Sequence, residues 1–332
     1  MNNRIIRSND TGGGGSTSFI VIAGNVGSGS PIKYSADGIS FTDVPTPFAS
    51  NNTGINVVVG YNGTHFIAVN GNCEVVYSTD GINWTRASST PTYAGSGTVS
   101  GYGQPRWTGT RWVMALNTSG FTAQIWYTAN SNGDGGWTNS GQLGFGTAVA
   151  NETVVAWALT PATGGVAVRS LNSGSTWSAI SGLSFGNQRA AGVAFSPTQF
   201  AVMGGYNNNP EYSNNTGATF QDSTGTGGGV HFGAYSDGTY IYTLKESDRK
   251  MYRSSDGGAT YSAAGYTFPS GTTNYGSGLF NGIEHYVSTN TGIYVSSDGW
   301  VDPANVRTLS LGFSGNLATF ASTAQPGSVP AI

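Results

Sequence analysis

The chain has 332 residues, 52 of them glycine, and only 9 % are charged, with a formal net charge of −3 at pH 7. That balance leaves no basic stripe of the kind that holds nucleic acid. No apolar run approaches the ~20 residues that span a bilayer, so neither nucleic-acid binding nor membrane insertion is expected. Glycine and small polar residues at this level suit tight turns between strands. A disordered chain is argued against by the 12 % of aromatic residues, which such chains lack.

The N-terminal stretch 1–17, MNNRIIRSNDTGGGGST, differs in character from the rest of the chain. Arg4, Ile5, Ile6 and Arg7 read as a partner-binding anchor and Gly12–Gly15 as a flexible tether, against the plain alternative of a frayed end. The first apolar stretch, Phe19 to Ala23, is shorter than the core of a signal peptide, so synthesis in a cytoplasm without a cleaved leader is expected. Cys73 is the single cysteine. It lies in a strand-like run and reads as a small buried residue.

From residue 18 onward one short phrase recurs: YSADGISF from Tyr34, YSTDGINW from Tyr77, RSSDGGATY from Arg253. Anchored on its Ser or Thr, it falls at Ser35, Ser78, Thr128, Ser170, Ser213, Ser254 and Ser296, at steps of 43, 50, 42, 43, 41 and 42 residues. A four-stranded propeller blade takes about 40–50 residues. The second unit shows the internal order: strands are predicted at Gly54–Asn62, His65–Asn70, Glu74–Thr79 and Trp84–Ser88, with the phrase between the last two. The first unit lacks a strand, and Asn316–Ala321 (NLATFA) is spare. The expectation is an all-β, seven-bladed β-propeller over 18–321, with four-stranded antiparallel blades. Its ring is closed by the C-terminal strand, which hides the sheet edges, and 322–332 form a tail.

The phrase resembles the Asp-box, the bacterial neuraminidase repeat. Ser254, Asp256, Gly258, Thr260 and Tyr261 match it most fully. Ser170 with Asn172 and Trp177, and Ser213 with Asn215 and Phe220, match with Asn for Asp. The copies at Ser35 with Asp37 and at Ser78 with Asp80 and Trp84 are one residue shorter. The third is expanded from Thr128 to Trp137, and the last loses the pattern after Ser296-Ser297-Asp298-Gly299. The carboxylate or amide is expected to accept the turn's own amides, and the glycine to supply a left-handed conformation. The resemblance implies a turn between a blade's third and fourth strands, away from a catalytic face. These side chains are therefore read as structural. No metal is expected, because isolated carboxylates at Asp256 or Asp298 make poor cages for a calcium ion wanting 6–8 oxygens.

Sialidases carry this repeat, but their early Arg-Ile-Pro signature is absent. Arg106, Arg111, Arg189 and Arg249 are framed by no motif. The glutamates Glu74, Glu152, Glu211, Glu246 and Glu284 show no paired spacing of the kind a glycosidase uses. His65, His231 and His285 fall in separate predicted strands without metal-ligand spacing. No catalytic residue and no cofactor is expected. Loops on the other face carry Phe48, Tyr93, Phe145, Phe185, Phe268 and Phe313, read chiefly as wedges between blades. Tyr206, Asn208, Arg249, Tyr93 and Phe268 are the ligand-contact candidates. Propellers with this phrase resemble bacteriophage virion components. The resemblance implies a non-enzymatic capsid decoration, head fibre or tail adhesin on the virion surface. Such a protein is held to other virion proteins by its N-terminal segment, with host-surface glycans as a second expected partner. A secreted, extracellular lectin is the alternative.

Overall fold

The computed structural model describes residues 19–25, 30–45, 48–49, 57–92, 104–117, 123–143, 146–150, 153–160, 164–180, 190–195, 200–204, 209–272, 275–311, 313 and 318–323. The strands, in chain order, are β1 (Ile20–Ala23), β2 (Ile32–Ser35), β3 (Thr42–Asp43), β4 (Val57–Tyr61), β5 (Phe66–Asn70), β6 (Val75–Ser78) and β7 (Thr85–Arg86). Then come β8 (Arg106–Trp107), β9 (Trp112–Asn117), β10 (Ala123–Thr128), β11 (Thr138–Leu143), β12 (Gly146–Ala150), β13 (Thr153–Thr160), β14 (Gly164–Ser170) and β15 (Ser178–Ala179). The series continues with β16 (Ala190–Phe195), β17 (Phe200–Gly204), β18 (Glu211–Ser213), β19 (Gln221–Asp222), β20 (His231–Ser236), β21 (Ile241–Lys245) and β22 (Lys250–Ser254). It ends with β23 (Ser262–Thr267), β24 (Tyr275–Phe280), β25 (His285–Thr289), β26 (Gly292–Ser296), β27 (Val306–Leu309) and β28 (Thr319–Ser322).

Among the described residues these strands form seven four-stranded sheets, and all the pairings within them are antiparallel. The expectation of seven like units is corrected here. Only six blades are complete in sequence, each made of four consecutive strands from β4 to β27. The remaining sheet is a composite of order β28-β1-β2-β3, in which β28 pairs with β1, Ile22 opposite Phe320 and Val21 opposite Ala321. The units also differ at their outer edge. The fourth strand is two residues long in β3, β7, β15 and β19 but six in β11 and β23. The innermost strands β28, β4, β8, β12, β16, β20 and β24 touch in that order and return to β28, so the ring is closed.

The middle strands explain the stacking. β1 (IVIA), β5 (FIAVN) and β25 (HYVST) are buried along their whole length. A strand with apolar residues on both sides needs a neighbour on each face of its sheet. The core accordingly lies between blades. Val21, Ala23 and Ile32 of the composite sheet pack with Val57, Val59 and Phe66 of the next. Val58, Val69 and Val75 pack with Met114 and Leu116 beyond, and Ile20, Ile22 and Phe320 with Tyr286 and Val295 on the other side. Outer strands β3, β7, β15 and β19 are exposed, which is why they carry Thr, Arg, Ser and Gln.

Candidate functional site

An up-and-down meander puts its first and third turns at one end and its second turn at the other. One end of the ring is therefore lined by the repeated phrase, here called the phrase face. The opposite face carries the turns between second and third strands.

The phrase builds a recurring hydrogen-bond frame in every described copy but the third, where Thr128 instead donates to the Gly135 carbonyl at 2.8 Å. Ser35 Oγ donates to Asp37 Oδ1 at 2.9 Å and accepts the Gly38 amide at 2.8 Å; Asp37 Oδ1 accepts the amides of Ile39 and Ser40 at 2.8 and 2.7 Å. Ser78, Asp80 and Gly81 repeat this. The longer copies close one residue later: Ser170 accepts Gly174, Ser213 accepts Gly217 and Ser254 accepts Gly258. Trp84, Trp137 and Trp177 donate their indole N–H to the carbonyls of Gly81, Gly133 and Gly174, while Phe220 and Tyr261 are buried. The last copy does not lose the frame, contrary to expectation. Ser296 accepts the amide of Trp300, and Asp298 accepts those of Val301 and Asp302. Trp300 takes the glycine position with φ of 70°, held because its buried indole donates to Tyr235 Oη at 2.6 Å.

These bonds have an electrostatic signature. The amides of Ser40 and Ile39 hold the Asp37 carboxyl down at about 2. At Asp80 and Asp298 partial burial pushes the other way. It is outweighed by Asn83 at the first and by Asn305 and Asp302 at the second, and both groups also sit at about 2. Among the described residues no group of three or more His, Cys, Asp or Glu is placed to hold a metal ion.

Each described phrase turn presses on the blade before it. A Cβ on Gly38 would lie 2.4 Å from Tyr286 Oη, and one on Gly81 2.4 Å from the ring of Phe19 and 2.8 Å from Val21. Gly133 faces Ile67 and Val75, Gly174 faces Val113, and Gly299 faces Tyr242. Polar contacts follow the same direction: Ser88 to Asp134, Thr108 to Ser173, Arg169 to the Thr216 carbonyl, Ser223 to the Gly258 carbonyl. The phrase thus joins blade to blade as well as strand to strand.

Tyrosine–carboxylate pairs, the chemistry a sialidase would need, do occur. Tyr286 donates to Glu284 at 2.9 Å, and Arg307 clamps that carboxylate with both terminal nitrogens. Tyr242 donates to Asp237, and Tyr252 to Asp248. All three tyrosines are buried. Burial first, and the carboxylate second, push the phenols of Tyr286 and Tyr242 far up and that of Tyr252 to about 12. All three phenols are therefore held inside the fold. Arg307 also donates to the Gly38 carbonyl, so this cluster is one more clamp between blades. The sequence reading missed Arg307, whose partner lies 23 residues away with no motif around it.

On the opposite face the most charged turn is Lys245–Lys250 (KESDRK), five charges in six positions of a chain that is 9 % charged. Its polar groups are largely bound within the fold. Lys245 donates to the Thr226 carbonyl at 2.6 Å, and Arg249 Nε to the Phe268 carbonyl at 3.3 Å. Arg249 takes φ of 57° and is partly exposed. Phe268 must be withdrawn as a ligand contact. It is 1 % exposed and wedged between Tyr266, Tyr294 and Trp300. Phe48 is likewise core, and Phe313 is partly buried under Lys33. Tyr93, Phe145, Phe185, Arg189, Tyr206, Asn208, Glu152 and Arg4–Arg7 lie outside the described residues. Cys73 is buried but sits in a turn, not a strand, with φ of 63°, because its amide returns to the Asn70 carbonyl. Next to it Asn70 donates to Glu74, which also binds Arg86 at 2.9 Å. His231 and His285 open β20 and β25, whereas His65 precedes β5 in a turn.

No family model matches the sequence, and no curated protein matches it. Solved structures do match in fold. The GH74 xyloglucanase from Xanthomonas campestris superposes with a TM-score of 0.62 at 13 % identity, over 92 % of this chain and 52 % of its own. This chain thus spans about half the length of that enzyme. YCF48 from Cyanidioschyzon merolae gives 0.55 at 15 % identity, over 85 % and 95 % of the two chains. Apo AztD from Citrobacter koseri gives 0.50 at 14 % identity, over 94 % and 100 %. The likeness establishes a β-propeller. It joins a glycoside hydrolase and other proteins alike, and does not carry an activity across.

Proposed function

We propose that the protein is a non-enzymatic display protein of a bacteriophage virion. In this reading its turns are Asp-boxes, and its propeller is presented through the N-terminal segment with the face opposite the phrase turned outward. The observation that carries this reading is where the described chain begins and ends. Thr323 donates its amide to the Phe19 carbonyl at 3.1 Å, so both ends leave the composite blade together, at the phrase face. A tether at that point leaves the other face clear for contact. The use of carboxylates agrees with it: Asp37, Asp80, Asp256 and Asp298 are spent on turn amides, and Glu284 on a blade-to-blade clamp.

The outward face is the place for recognition of host-surface glycans, with Arg249 its described polar candidate. A peptide ligand is the competing class, since one similar propeller is YCF48 bound to D1 peptide. Incorporation is the test. Particles from a host expressing the tagged full chain should carry it, and a chain with Arg4→Asp and Arg7→Asp should stay in the soluble fraction. Equal recovery of both in particles removes the anchor. Recovery of the tagged chain only in the soluble fraction, with agglutination of cells, moves the assignment to a lectin. Release of sugar from a glycoside by purified protein ends the non-enzymatic reading.

A further inference from the structure

Five large apolar side chains are exposed among the described residues: Ile39, Ile82, Leu171, Ile283 and Val301. All five stand on turns of the phrase face. Four of them occupy three consecutive blades, with Ile283 and Val301 on β24–β27, Ile39 on the composite blade and Ile82 on β4–β7. The same turns carry Asp37, Asp80, Asp298 and Asp302. Of the described cations beside them, Arg307 is already clamped to Glu284 and Arg253 stacks on the Tyr240 ring. This part of the surface is therefore apolar and acidic, and it surrounds the point where both ends leave the fold.

The sequence ahead of Phe19 has the complementary character. Ile5 and Ile6 are flanked by Arg4 and Arg7, and Gly12–Gly15 lie between them and the fold. An extended chain covers roughly 3.3 Å per residue. The 13 steps from Ile6 to Phe19 therefore reach the neighbouring turns with slack, and glycine lets the chain reverse. We infer that Arg4–Arg7 docks on the phrase face of its own chain, Ile5 and Ile6 against Ile39 and Ile82, and the two arginines toward Asp37 and Asp80. The contact is intramolecular, so a weak interaction suffices at the high local concentration a short tether gives. The inference goes beyond the display reading and does not depend on it.

The test uses the full chain carrying Cys73→Ala and Asn3→Cys, spin-labelled at position 3 only, with isotope-labelled isoleucine methyl groups. The methyl signals of Ile39 and Ile82 should broaden while those of Ile125 and Ile241 stay sharp. The broadening should be lost with Ile5→Ser and Ile6→Ser, and weakened by salt. Absence of broadening, or broadening unchanged by those substitutions, overturns the inference. Mixing spin-labelled chain lacking the isotope with isotope-labelled chain lacking the spin label reads contact between copies. Broadening of Ile39 and Ile82 that persists in that mixture also overturns it, in favour of docking on a second copy. A chain with Arg4→Asp and Arg7→Asp should fall between the parent and the Ile5/Ile6 variant. The sharp signals of Ile125 and Ile241 report in every sample that the fold is intact.

Discussion

Gly81→Ala is the sharpest perturbation of the phrase. Gly81 has φ of +72°, a left-handed conformation that costs an alanine about 1–2 kcal/mol. The added Cβ also lies 2.4 Å from Phe19 Cε1 and 2.8 Å from Val21 Cγ2 of the preceding blade. Relief needs the ring or the backbone to move by about an ångström, and overpacking of this kind costs about 1–3 kcal/mol. The sum is a loss of about 2–5 kcal/mol. Gly63→Ala supplies the control, because Gly63 also has a positive φ, +98°, but faces open space within 4 Å. It should lose only the backbone part, about 1–2 kcal/mol. Equilibrium urea unfolding followed by tryptophan fluorescence compares the two. Equal losses for Gly81→Ala and Gly63→Ala would refute the argument that the phrase presses one blade onto the next.

Three further outcomes are expected from the same structure. Burial holds His285 at about 4 against an ordinary 6.5, with Asp237, Asp298 and Glu284 pulling the other way. The unfolded chain therefore binds the proton first. Stability from this group is full above pH 6.5 and falls by about 3 kcal/mol as pH drops to 4, so His285→Gln should flatten the unfolding midpoint across that window, and an unchanged slope would contradict it. Burial raises the Cys73 thiol to about 11, so a disulfide reagent at pH 8 should leave it unmodified until denaturant is added; rapid reaction of the native protein would show that the turn opens. A chain ending before Ala318 leaves β1 without its partner β28 and strips Ile20 and Ile22 of cover from Phe320. Exposed edges of this type pair with other chains, so size-exclusion chromatography should show association, and a stable monomer would contradict the closure.

What was legible in the sequence is what is local. Ser, Asp or Asn, and Gly at fixed offsets describe a turn closed by its own amides, and that turn is found at Ser35, Ser78, Ser170, Ser213 and Ser254. The spare strand near the C-terminus was legible because the first unit lacked one. Contacts across blades were not. Nothing near Arg307 announces Glu284, and nothing in Gly299-Trp300 announces that Tyr235 of another blade pins the indole so that Trp can stand where Gly is usual. The same limit misplaced Phe268: a loop aromatic among small polar residues reads as a contact until its neighbours, Tyr294 and Trp300, are known. Cys73 follows Asn-Gly-Asn, and its left-handed turn was hidden by the apolar run after it. Similar spacing also concealed unequal units, since the phrase sets its own turn but not the length of the strand beyond it.

Electron cryo-microscopy of virus particles from a culture expressing the chain at its native level tests the display reading most directly. Propeller-shaped density on the particle, with the turns of Ile39 and Ile82 toward the attachment point and the Lys245–Lys250 turn outward, is the predicted result. Particles without such density, with the protein recovered free in the medium, or a propeller seated by the Lys245–Lys250 face, would contradict it.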